Sequence, residues 1–135
     1  MAKAKTDNER LVMKFFEVLS AGKLDTFKTL LHSDAVWTVM PSAVPGTGPH
    51  NGRKGIVDEF LAPVRGLFVD GDPKLHVKNV FGSGAWVAAE VNGVGTFKSG
   101  TEYNNNYCWI FEIKDNMVLQ VHEYMDSHYI MNVVA

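Results

Sequence analysis

A carboxylate set among apolar residues is a candidate acid or base, and this chain carries one at Glu123. In extended conformation Leu119, Val121, Glu123 and Met125 fall on one side of their segment. Gln120, His122, Tyr124 and Asp126 fall on the other. If the apolar side faces an interior, Glu123 is desolvated and needs a partner or a function. A second carboxylate, Glu90, lies in the run Trp86-Val87-Ala88-Ala89-Glu90-Val91-Asn92, where alternation places Glu90 and Asn92 on a common face.

Other chemistries find less support. The five histidines, His32, His50, His76, His122 and His128, include no closely spaced metal-ligand pair, and Cys108 has no cysteine partner. No metal and no cofactor are expected. His122 points away from Glu123, toward an outer sheet surface or a dimer interface. His50 lies in a loop that could reach a pocket mouth. The stretch Gly46-Thr47-Gly48-Pro49-His50-Asn51-Gly52 lacks the lysine of a phosphate-binding loop. A net charge of −2 with scattered basic residues gives no pull toward nucleic acid. A lone cysteine forms no internal disulfide, and no apolar run approaches the ~20 residues of a membrane span. A cytoplasmic domain is the expectation.

The elements that must position Glu123 are legible in outline. Thr6 three residues before Glu9 fits a capping box. Val12, Phe15, Phe16 and Leu19 then recur at helical spacing until Ala21-Gly22. A second short helix starts near 23–25 and buries Leu24, Phe27, Leu30 and Leu31. Residues 34–39 form a strand with Val36, Trp37 and Val39. The Pro- and Gly-rich stretch 41–52 reads as a long loop, of the kind that serves as a lid. A third helix covers 53–62, burying Ile56, Val57, Phe60 and Leu61, and Pro63 kinks or ends it. Strands follow at 75–81 and 85–97, joined at Gly82-Ser83-Gly84; Gly93 and Gly95 suggest a bulge or bend. The long arms within 103–126 form a hairpin turning at Asp115-Asn116, and 128–133 makes a final helical turn. Helices segregated from an antiparallel sheet make an α+β fold. A strongly curved antiparallel sheet wrapped over three helices in the N-terminal half gives a cone-shaped barrel, whose one open mouth suits a small molecule.

On particular residues the chain resembles a known family. Gly52-Arg53 with Gly55-Ile56, Trp37 followed by Met40-Pro41, and a hairpin carrying Tyr103-Asn104-Asn105 and His122-Glu123-Tyr124-Met125-Asp126 are similar to SnoaL-like members of the nuclear transport factor 2-like superfamily. That superfamily includes ketosteroid isomerases, polyketide cyclases, scytalone dehydratase and limonene epoxide hydrolase. The resemblance spans nearly the whole chain and implies one SnoaL-like domain over 1–135. The epoxide hydrolase activates water with an Asp-Arg-Asp group, and the matching positions here are Glu90, Asn92 and Glu123. The tyrosine and asparagine that help hold its water match Trp37 and Val39. With those donors replaced, epoxide hydrolysis by that mechanism is not expected.

The resemblance also implies that Glu90 and Asn92 face inward beside Glu123. Two carboxylates in an apolar cavity cannot both ionise cheaply, so one should hold a proton. Such a pair supplies an acid and a base for isomerisation, dehydration or cyclisation next to a carbonyl, with Asn92 or Asn105 orienting the substrate. Two other readings stay open. Glu123 could be a structural acceptor in a network with Tyr103, Asn105, Tyr107 and Trp109, or could only hydrogen-bond a ligand. Asn105, Tyr107 and Met125 match pocket-lining positions, and Trp37 would narrow the mouth or belong to the core. The substrate class implied is a small apolar molecule bearing a carbonyl or hydroxyl. Apolar residues assigned to the outer sheet face, Val87, Val91, Cys108, Ile110 and Tyr124, suggest a homodimer, which the family commonly forms.

Overall fold

A computed structural model describes residues 2–134. The chain opens with α1 (Asp7–Ser20) and α2 (Leu24–Lys28). Thr6 caps α1, its Oγ1 accepting from the Glu9 amide at 3.1 Å. The Glu9 carboxylate reaches one residue further than a capping box requires and accepts from the Lys5 amide at 2.9 Å. Helix α2 stops at Lys28, so Leu30 and Leu31 lie beyond it, and Leu31 already begins β1 (Leu31–Val39).

The stretch 41–52 is not all loop. Its last residues form β2 (Gly48–Asn51), a short edge strand running antiparallel to β1 with Trp37 opposite His50. Next comes one continuous helical run: α3 (Gly52–Ile56), a π-helical turn (Val57–Leu61) and α4 (Ala62–Arg65). Pro63 does not end it. The proline falls in the first turn of α4, where its missing N–H matters least because the wider π turn precedes it.

Strands β3 (Lys74–Ser83), β4 (Trp86–Thr96), β5 (Glu102–Lys114) and β6 (Met117–Met125) form an antiparallel meander, and α5 (Ser127–Val134) closes the described chain. The β5–β6 turn uses Asp115 and Asn116 at φ of 53° and 58°, the left-handed pair that a two-residue hairpin requires. The six strands lie in the order β2-β1-β6-β5-β4-β3. The sheet is mixed and open, where the sequence order suggests a wholly antiparallel one, because β1 runs parallel to β6. The helical run and four intervening strands, β2 to β5, supply the long crossover that parallel pairing needs. That pairing sets Val39 beside Glu123 and Trp37 beside Val121.

The glycines of β4 do not mark a bulge, since its register with β5 is unbroken from Trp86 to Thr96. They make room instead. A Cβ on Gly93 would meet the Tyr107 ring at 2.9 Å, and one on Gly95 would meet Phe68, Asp72 and Pro73 at 3.1 Å. The bulges fall elsewhere, one of them opposite Glu112 and Ile113. There the unpaired Leu119 gives its inward place to Val118, which is fully buried.

The core is aromatic. Phe15 and Phe16 of α1 pack against Trp37, Trp109 and Phe111 on the inner face of the sheet, with ring centroids 4.7–5.7 Å apart. The inner face of β4 is Val87, Ala89 and Val91. Val87 and Val91 therefore belong to the core and not to the outer surface assigned from alternation.

Candidate functional site

Glu123 projects from β6 into the interior and is 8% exposed. Trp37, two places along the paired strand β1, reaches across so that its indole Nε1 donates to Glu123 Oε1 at 2.8 Å. Trp109 lies directly opposite Glu123 on β5, and its N–H faces the same carboxylate. It stops short of hydrogen-bond geometry, and the buried Trp109 Nε1 has no partner. Burial raises the carboxyl's pKa and the two indole dipoles lower it; burial wins, and the group is pushed up from 4.5 to about 7.

The far side of this carboxyl faces empty space. A cavity of about 210 Å³ is lined by Val39, Phe60, Tyr103, Tyr107, Glu123 and Met125, together with Ile130 and the surface-exposed Val64, Leu67 and Val134. A smaller chamber of about 70 Å³ adjoins it behind Phe60, lined by Trp37, Trp109 and Arg65 as well as Glu123 and Tyr107. Phe60 stands between the two spaces on the π-helical turn, and His50 stacks on it at 4.0 Å from outside. The histidine thereby supports the wall without entering the cavity.

The polar group nearest to Glu123 in the cavity is a tyrosine pair. Tyr103 and Tyr107, on one face of β5 either side of Asn105, hydrogen-bond through their hydroxyls. Asn105, 1% exposed, stands behind them and donates its amide to the Tyr103 oxygen at 3.0 Å. The same Nδ2 touches the Asp126 carbonyl at 3.4 Å. Burial raises the pKa of Tyr107 well above its ordinary value, helped by the repulsion its anion would meet from an ionised Tyr103 or Glu123; Tyr103 is raised for the same first reason. Both hydroxyls therefore hold their protons at neutral pH.

Several sequence expectations meet here. Val39, Tyr107 and Met125 line the larger cavity and Trp37 the smaller chamber. Asn105 is packed behind the tyrosines and lines neither. Glu90 and Asn92 do not join Glu123. Along β4 the inward positions are Ala89 and Val91, one residue out of phase, so both polar side chains lie on the opposite face of the sheet. Exposed Glu90 accepts from Asn79 at 2.8 Å, and Asn92 donates to Asn104 and Asn106 at 2.7 and 3.2 Å. The expected proton-sharing pair is corrected to a single carboxylate with indole donors. Sequence reasoning missed Phe60 as a cavity wall, because a π turn leaves no signature in residue type. It also passed over Ile130 and Val134, whose i, i+4 apolar spacing was visible.

No cluster of three or more potential metal ligands occurs among the described residues, and no helix is long and apolar enough to cross a membrane. A family model described as a SnoaL-like domain matches residues 12–121. No curated protein matches the chain. Among solved structures, TerC co-crystallized with polyporic acid is 17% identical, with a TM-score of 0.84 over 96% of this chain and 98% of its own. A putative SnoaL-like polyketide cyclase from Jannaschia sp. CCS1 is 16% identical, with a TM-score of 0.81 over 98% and 96%. An LEH-like epoxide hydrolase from M. tuberculosis is 18% identical, with a TM-score of 0.77 over 95% and 90%. At these identities the likeness is one of fold.

Proposed function

The chain belongs to the SnoaL-like domain family of the nuclear transport factor 2-like superfamily, and on that premise we propose that it is an acid–base catalyst acting on a small apolar carbonyl compound. The observation that carries this reading is a lone buried carboxyl, poised near neutrality, on the wall of an apolar cavity. A general acid or base works best when its pKa lies near the operating pH. A carboxyl pushed up to about 7 can take a proton from one carbon or oxygen of a bound molecule and return it to another. Isomerisation, dehydration and cyclisation all need that transfer.

The tyrosine pair supplies the complementary group. Its two hydroxyls share one hydrogen bond in which either can donate, so one of the two phenol protons is left for the cavity that both line. A carbonyl oxygen placed there accepts a hydrogen bond whose worth grows as enolisation puts negative charge on that oxygen. Glu123 would then act as the base at the adjacent carbon, with Trp37 holding the carboxylate in place. Val39, Phe60 and Met125 exclude water from the exchange. A cavity of about 210 Å³ lies below the ~300–1,000 Å³ of pockets for drug-sized ligands, so the substrate is of the order of one ring.

The competing reading is a binding module. Glu123 already has an indole donor and the tyrosines satisfy each other, as a structural network would. Glu123→Gln separates the two. A panel of small cyclic ketones is tested for binding by ligand-observed NMR and for solvent deuterium exchange at the α-carbon. The catalytic reading expects the variant to bind with little change and to lose exchange. Binding without exchange in the unsubstituted protein would leave only a pocket. At the level of assembly, the outer-face residues Ile110, Tyr124 and exposed Trp86 support a homodimer through the sheet.

A further inference from the structure

The chamber behind Glu123 ends at Arg65, the one cation among the described residues that line either space. Its guanidinium is half-buried and weakly engaged. Nη1 donates to the Pro73 carbonyl and Nη2 to the Ser20 carbonyl, both at 3.4 Å and both to uncharged acceptors. Asp72 is near enough to attract it, yet Asp72 Oδ2 accepts from the Thr96 amide at 2.9 Å. No carboxylate lies within ion-pair distance of Arg65 among the described residues. Burial lowers its pKa, the mark of a cation with too little compensation.

A structural role accounts for part of this arrangement. Arg65 ties the last carbonyl of α1, that of Ser20, to the turn before β3, and the bare Cα of Gly22 leaves room for it, since a Cβ there would lie 3.2 Å from Nη2. That role occupies two of five N–H donors. The side chain also lines a void that shares Glu123, Tyr107 and Phe60 with the larger cavity.

Building on the catalytic reading above, we propose that this chamber is an anion subsite, in which Arg65 receives the carboxylate of an oxo-acid whose apolar body fills the larger cavity. Size supports the division. A water-sized group needs about 10–15 Å³ of such space, so about 70 Å³ accommodates a carboxylate and about 210 Å³ a ring-sized body. Charge supports it too. With Glu123 protonated, the walls of the two spaces carry only the positive charge of Arg65, which one ligand carboxylate neutralises; ionised Glu123 cancels that charge, so the preference for a carboxylate weakens as pH rises through the Glu123 titration. A guanidinium is the side chain whose planar donors suit that group. The carbonyl of such an acid would lie toward Tyr107 and its enolisable carbon toward Glu123, so the subsite fixes substrate class and orientation together.

The test uses two isosteric probes, 3-oxocyclohexane-1-carboxylate and 3-oxocyclohexane-1-carboxamide, titrated by calorimetry one unit below the titration of Glu123. The expected result is carboxylate binding tighter by about ten- to a hundredfold, the range for a hydrogen bond to a charged group. Arg65→Gln should bring the ratio near one while carboxamide affinity stays unchanged. Arg65→Lys, which keeps the charge and loses the planar fork, should retain part of the preference. A ratio near one in the unsubstituted protein, a ratio that survives Arg65→Gln, or binding of neither probe would each overturn the subsite. Should Arg65→Gln fail to fold, the ratios for the unsubstituted protein and Arg65→Lys decide. A carboxylate preference in a protein that exchanges no α-protons keeps the subsite and removes the catalytic reading. Exchange without that preference does the reverse.

Discussion

Replacing Glu123 with glutamine should change how stability depends on pH, by an amount that follows from the burial of one group. Folding raises the carboxyl from 4.5 to about 7, a difference of about 2.5 units. At 1.36 kcal/mol per unit this is about 3 kcal/mol. The sign is fixed by which state holds the proton. Below about pH 4.5 both states are protonated and the contribution is complete. Between 4.5 and about 7 the unfolded chain releases the proton while the folded chain keeps it, so stability falls as pH rises; above about 7 the loss is complete. Glutamine does not titrate and still offers Trp37 an acceptor. Urea unfolding of both proteins from pH 4 to 8 isolates the effect, because other titrating groups cancel in the difference. The variant should gain about 3 kcal/mol relative to the parent across the window, roughly 10 °C in melting temperature. Parallel curves would refute the reasoning, for they would mean that Glu123 titrates as an ordinary surface carboxyl.

The surroundings of Glu123 yield further expectations. Trp37→Phe removes the indole donor at 2.8 Å, so the pKa of Glu123 should rise further, read by carbon-13 NMR of the carboxyl, with a stability cost of about 1–3 kcal/mol for the lost partner. Gly93→Ala sets a methyl 2.9 Å from the Tyr107 ring. Overpacking of that kind costs about 1–3 kcal/mol, and Tyr107 should be displaced, visible as lost ketone affinity and a lower melting temperature. The outer-face proposal predicts a particle of two chains by light scattering, against which a clean monomer would count.

The sequence carried the fold farther than the site because the two depend on different signals. Helix α1, the arms of the β5–β6 hairpin and its turn at Asp115-Asn116 follow from local periodicity and turn chemistry, which the chain states openly. The parallel pairing of β1 with β6 joins residues some eighty positions apart, and no local pattern encodes it. Glu123 was legible because its neighbours in β6 are apolar. Glu90 was misplaced because Trp86 to Asn92 is apolar on both faces apart from Glu90 and Asn92, so alternation sets a common face for those two without saying which way it points. The pairing of Ala89 with Trp109 and of Trp109 with Glu123 settles that direction: Ala89 is inward, and Glu90 next to it is not. Gly93 and Gly95 read locally as bend formers, yet their purpose is clearance for Tyr107 and Phe68, which only the packed sheet reveals.

The account rests on one carboxyl that changes charge near neutrality while touching a bound carbonyl compound. The pH profile of α-proton exchange in a saturating small ketone, measured from pH 5 to 9, tests this most directly. The account predicts a rate that rises with ionisation of Glu123, with its midpoint near 7, and that vanishes in Glu123→Gln. A profile without that inflection, or one unchanged by the substitution, would contradict it.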